Sequence, residues 1–99
     1  MQKGGAVYIM ASPNRTALYT GVTSNLYKRV HEHRNKLFAK SHTAKYNCAE
    51  LVYYRWCDSI EAAILEEKRI KATNRMHKEG LILKMNPEWR DLWLDLEPW

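Results

Sequence analysis

Residues 6–34, AVYIMASPNRTALYTGVTSNLYKRVHEHR, restrict the fold more than any other stretch of the chain. Two short apolar runs, AVYIM and ALYTGV, flank SPNRT, whose Ser, Pro and Asn favour a turn, so the segment predicts a β-hairpin. A helix is expected next, capped by Thr23 or Ser24. Leu26, Val30, His33 and Leu37 recur at helical spacing along one face, with Arg29 one turn before His33.

If the strands pair symmetrically about Pro13 and Asn14, Tyr8 faces Tyr19 across the hairpin, and cross-strand partners share a face. Gly21 would leave that face open. The expectation is a cleft rather than a core, lined by two phenols, a glycine and the helix edge that carries Arg29 and His33.

Charge is unevenly placed. Residues 1–48 hold eight Lys and Arg against one acid, Glu32, for +7, whereas residues 49–99 hold eight against ten, for −2. A basic half of this kind favours a polyanionic partner. In the polar segment FAKSHTAKYNCA, read as a loop on the cleft rim, Lys36, Lys40 and Lys45 are candidates for phosphate contacts. The structural alternative is three solvated lysines.

ELVYYRWC, rich in β-branched and aromatic residues, predicts a third strand, with Val52, Tyr54 and Trp56 on one face and Leu51, Tyr53 and Arg55 on the other. A base-stacking platform is the functional alternative to core here, and core is preferred. A second helix should start at Asp58 or Ser59, with Glu61 completing a capping box. Its inner stripe is Ile60, Ala63, Ile64, Glu67, Ile70 and Lys71, so Glu67 is a carboxylate on an apolar face and Glu66 points away. A carboxylate there must be paired or bound to a cation. Spacing alone favours a salt bridge.

A third helix is expected over residues 74–84, capped by Asn74, with Met76 and Leu83 inward and Gly80 weakening it. Asn86-Pro87 should end it. Trp89, Leu92, Trp93 and Leu96 then suggest a closing amphipathic segment over the sheet. Ninety-nine residues, 45% hydrophobic and 27% charged, suit one domain spanning residues 1–99. The apolar run at residues 6–11 is too short for a signal sequence or a membrane span, and two cysteines fit a reducing compartment, so a cytoplasmic protein without a membrane partner is expected. His31, Cys48 and His77 lack the paired spacing of a zinc site.

The residues together resemble the GIY-YIG (URI) nucleases. Ala6-Val7-Tyr8 corresponds to the first motif and Tyr19-Thr20-Gly21 to the second, eleven residues on from tyrosine to tyrosine; Arg29 and His33 follow at the family's positions. The resemblance runs from Ala6 to about Leu92. It implies that Glu67, in AILEEKRIK, binds a single Mg²⁺ or Mn²⁺ ion, and that Arg29 stabilises charge on phosphate oxygens. Tyr8 or Tyr19 then orients or deprotonates the attacking water. Which tyrosine is the base stays open; Tyr8 is preferred, with His33 accepting its proton. Asn86 and His42 match further active-site positions in some relatives. Ala6 replaces the first motif's glycine, and Val22 stands where the DNA-repair excinuclease branch often has a lysine, which places the chain nearer the small stand-alone branch.

The expectation is therefore an α+β fold, a three-stranded, largely antiparallel sheet flanked by helices, acting as a metal-dependent endonuclease on DNA phosphodiesters, with a role in repair or recombination. RNA remains open as a substrate. With no extra recognition domain in 99 residues, specificity would come from DNA shape or a protein partner. The rival expectation is a non-catalytic nucleic-acid-binding or protein-interaction module on the same fold.

Overall fold

A computed structural model of the protein describes residues 4–35 and 46–96. Lys36, Leu37, Lys40, His42 and Lys45 lie outside the described residues. Strands β1 (Gly5–Ala11), β2 (Leu18–Thr23) and β3 (Glu50–Cys57) form one antiparallel sheet in the order β2-β1-β3, joined by helices α1 (Leu26–Arg34), α2 (Ile60–Lys71) and α3 (Arg75–Met85). This is the expected α+β class.

Central strand β1 is buried along its whole length, as a strand covered on both faces must be. Ala6, Tyr8 and Met10 join Leu26 and Val30 of α1, with Cys48, Leu51 and Leu92, in one core. On the opposite face Val7, Ile9 and Ala11 pack with Val52 and Tyr53, Ile70 of α2 and Ile82 of α3. The sheet thus separates α1 from α2 and α3. Each fully buried aliphatic side chain in these cores contributes about 1.5–3 kcal/mol.

Several local expectations are corrected. The hairpin is not symmetric about Pro13 and Asn14: Ala11 pairs with Leu18, Met10 with Tyr19, and Tyr8 with Gly21. The turn runs wider because Asn14 Oδ1 accepts from Ser12 Oγ at 2.8 Å, Thr16 Oγ1 at 2.8 Å and the Thr16 amide at 3.2 Å, while Arg15 takes a left-handed φ of 62°. That moves the register by two residues. An even shift preserves side-chain direction, so Tyr8, Tyr19 and Gly21 still share a face.

Helix α1 is capped by Asn25, whose Oδ1 accepts from the Lys28 amide at 3.1 Å; Thr23 instead braces the cap by accepting from the Asn25 amide. Ser59 rather than Asp58 caps α2, accepting from the Ala62 amide at 3.0 Å. In β3 the predicted alternation fails because the pairing with β1 shifts between Ile9 and Met10. Leu51, Tyr54 and Trp56 consequently face α1, and Val52 and Tyr53 face the other way.

Met76 and Leu83 were expected to face inward but are 78% and 49% exposed. Ile82 and Leu81 make the contact with the sheet instead. The segment after Asn86 covers the sheet as expected, yet only Leu92–Asp95 coils, as a short 3₁₀ turn, because Trp89 sits at φ 55° and interrupts a helix. It wraps the free edge of β3, placing Trp89 against one core and Leu92 and Trp93 against the other.

Candidate active site

Strand pairing delivers the tyrosines and α1 delivers the histidine. Tyr8 projects from β1 toward α1, where His33 occupies the buried stripe with Leu26 and Val30. The Tyr8 hydroxyl lies 2.9 Å from His33 Nε2. Tyr19 completes a triangle of rings, its centroid 6.3 Å from Tyr8 and 5.5 Å from His33. Gly21 makes the arrangement possible: a Cβ there would lie 2.5 Å from Tyr8 Cζ and 2.9 Å from Tyr19 Cε2. The glycine is therefore covered by Tyr8 rather than left open. Nor is the floor of the site a cleft, since Tyr8 is 1% exposed and His33 5%; access comes through Tyr19 and Arg29, which are only half-buried.

Arg29 hydrogen-bonds Tyr8 and, at 3.1 Å, Glu32 one turn ahead. Burial pulls its pKa down, but those bonds outweigh burial and raise it, so the guanidinium is a permanent cation. Burial, then the neighbouring Tyr19 phenol, push Tyr8 well above the range of a free phenol; the hydrogen bond and charge of Arg29 oppose this without overcoming it. Burial first and Arg29 second lower His33 to about 4, against the weaker pull of Glu32. His33 is thus a neutral imidazole at pH 7. With Arg29 donating to the phenol oxygen, the Tyr8 proton points at His33 Nε2, which places the ring's own proton on Nδ1.

Glu67 arrives from the other layer. Its side chain is 12% exposed, and Lys71 Nζ donates to its Oε2 at 2.7 Å. The same ammonium lies 5.9 Å from the ring centroid of Tyr19, so the edge strand β2 is where the carboxylate of α2 and the tyrosine face meet. Glu66 points away, as expected, and pairs with Arg55 and Arg69; the Arg69 hydrogen bond is the main reason its carboxyl is held below the ordinary range.

Asn86, expected near the site, caps the end of α3. Its Nδ2 donates to the carbonyls of Val52 at 3.2 Å and Arg90 at 2.8 Å, and its Oδ1 accepts from the Arg90 amide at 2.9 Å. It thus pins the chain to the edge of β3. Two residues of the neighbourhood were not assigned a role from sequence, Glu32 and Lys71. The signal was available: each stands three or four residues after its partner on a helix, the spacing of an ion pair.

A family model describing the GIY-YIG catalytic domain matches residues 4–79, a span that contains Tyr8, Tyr19, Arg29, His33 and Glu67. The chain belongs to the GIY-YIG family. Among curated relatives, this GIY-YIG protein is 37% identical over 82 residues to a UPF0213 protein of Syntrophus aciditrophicus (strain SB), an alignment covering 83% of this chain and 92% of the relative. It is 40% identical over 76 residues to a UPF0213 protein of Natronomonas pharaonis, covering 77% and 87%. No solved structure gives a significant match. Membership places the chain in a nuclease family, and among its described residues no helix is long and apolar enough to cross a membrane.

The donor set around Glu67 constrains any metal. Among the described residues no group of three or more His, Cys, Asp or Glu side chains could hold an ion. One carboxylate suits a hard cation such as Mg²⁺ or Mn²⁺, which takes oxygen ligands and keeps several waters. It does not suit zinc, which needs three or four nitrogen or sulfur donors.

Proposed function

We propose that this protein is a divalent-metal-dependent endonuclease that hydrolyses DNA phosphodiesters, selecting its substrate by DNA shape in repair or recombination, in the cytoplasm. The observation that carries the reading is the Tyr8 hydroxyl held 2.9 Å from a neutral His33 inside a matched GIY-YIG catalytic domain, with Arg29 bonded to the same phenol.

Arg29 opens the reaction by presenting its fork to the non-bridging oxygens of the scissile phosphate, where negative charge grows. Tyr19, the more accessible phenol, orients the phosphate or the water. The water oxygen bonds phosphorus as the bond to the 3′ oxygen breaks. Its proton passes to the Tyr8 oxygen while the Tyr8 proton moves to His33 Nε2, so the phenol never has to exist as a free phenolate. That relay spares Tyr8 an ionisation that its raised pKa makes unfavourable at neutral pH, at the cost of protonating an imidazole whose pKa burial and Arg29 lower to about 4. Glu67 holds the ion, and the ion, when bound, supplies Lewis-acid stabilisation of phosphate and leaving-group charge.

Lys36, Lys40 and Lys45 position the substrate through its backbone; the family tilts the choice toward DNA over RNA, and a protein partner is a further source of specificity. One observation favours the rival reading of a non-catalytic binding module: the Glu67 carboxylate is already neutralised by Lys71.

The test is cleavage of labelled single-stranded, duplex, flap and branched DNAs with Mg²⁺ or Mn²⁺, wild type beside Glu67→Gln. Wild type is expected to cut at least one substrate, and the variant to lose cleavage about 10²-fold or more while still binding DNA. Binding by both proteins with cleavage by neither, or equal cleavage by both, overturns the proposal.

A further inference from the structure

We infer that Lys71 is a resident counter-cation that occupies the Glu67 carboxylate in the resting protein and yields it to a divalent ion when a DNA phosphate arrives to receive the ammonium; this rests on the assignment of Glu67 above. The geometry has three parts. Lys71 Nζ sits 2.7 Å from Glu67 Oε2, on the carboxylate that would hold the ion. The carboxylate is held, with its side chain 12% exposed, whereas the lysine is 51% exposed and free to swing on its flexible stem. The ammonium also lies 5.9 Å from the Tyr19 ring centroid, so a short swing carries it from the carboxylate toward the tyrosine face, where the phosphate is proposed to lie.

An ammonium and a divalent ion repel at this range, so holding both on one carboxylate is disfavoured. Metal alone therefore binds against the charge of Lys71, which has no new partner to move to, while metal plus phosphate re-pairs every charge. Lys71 thereby couples the two ligands, each raising the affinity of the other. It is a positioning residue, and its removal changes metal affinity before any chemistry.

Mn²⁺ binding is measured by electron paramagnetic resonance on the whole chain, for wild type, Lys71→Gln, Lys71→Arg and Glu67→Gln, with thermal melts confirming each fold. A cleavage-resistant phosphorothioate duplex is then added. Without DNA, Lys71→Gln is expected to bind Mn²⁺ roughly three- to tenfold more tightly than wild type, and Lys71→Arg to stay near wild type. The duplex should tighten Mn²⁺ binding more in wild type than in Lys71→Gln. Equal affinities of wild type and Lys71→Gln, with binding abolished in Glu67→Gln, overturn the role of Lys71 while leaving Glu67 as the metal anchor. Binding that is indifferent to Glu67→Gln overturns both.

Discussion

His33 is a buried titratable ring of the candidate site, and its stability cost is measurable. Its pKa falls from 6.5 in the unfolded chain to about 4 in the fold, through burial and the charge of Arg29. Above pH 6.5 the ring is neutral in both states, and the contribution is fully present. As pH drops from 6.5 to 4, the unfolded chain takes up a proton that the folded one refuses, so stability falls by up to about 3 kcal/mol. Below about 4 this group causes no further loss. Chemical denaturation of wild type and His33→Gln between pH 4 and 7.5 checks this: the difference should shrink on acidification across that window, because every other titratable group is common to the two proteins. A pH-independent difference would show that His33 is not held neutral. The five residues of the candidate site were proposed from sequence order and type. Their states were not, because the raised phenol of Tyr8 and the lowered imidazole of His33 arise from burial between two elements, and a sequence does not record burial of that kind.

Strands and helices were easier to read than their junctions. Among the described residues, periodicity located the three strands and three helices, but the hairpin register depended on three hydrogen bonds to Asn14 Oδ1 and a left-handed Arg15. The face of Val52 depended on an irregular pairing with β1. Both are decided by local hydrogen bonds and backbone geometry that no apolar pattern reports. The same holds for edge strand β3, whose exposed backbone is partnered by the following segment: Asn86 takes the Val52 carbonyl, and Asp91 Oδ1 takes the Leu51 amide at 3.2 Å. An uncovered edge invites pairing with other chains. Asn86→Ala removes three hydrogen bonds around a 3% exposed side chain and should cost about 1–3 kcal/mol, lowering Tm by roughly 4–8 °C per kcal/mol. Cleavage per folded molecule is expected to persist. Its loss in a variant that melts normally would instead put Asn86 in the reaction.

At the scale of the whole molecule, the sheet separates two chemical environments. The α1 side carries Tyr8, Tyr19, Arg29 and His33 within the half of the chain whose net charge is +7; α2 and α3 belong to the half at −2. A polyanion approaching the site meets the basic half, and its affinity then depends on how many condensed counterions that half displaces. Each phosphate contact contributes about −0.9 to the slope of log K against log salt on duplex DNA. Replacing Lys36, Lys40 and Lys45 together by glutamine should therefore weaken binding and flatten that slope by up to about 3, whereas replacing Lys78 and Lys84 of α3 should leave it nearly unchanged. Fluorescence anisotropy on one duplex between about 50 and 300 mM KCl, roughly three-quarters of a decade around physiological ionic strength, separates the two. Cleavage is run in parallel on saturated complexes, where loss of affinity no longer limits the rate. Phosphate contacts that only position the duplex should leave that saturated rate nearly intact in the triple variant. If the α3 pair flattens the slope instead, the duplex contacts α3, and the proposed approach through Lys36, Lys40 and Lys45 is overturned.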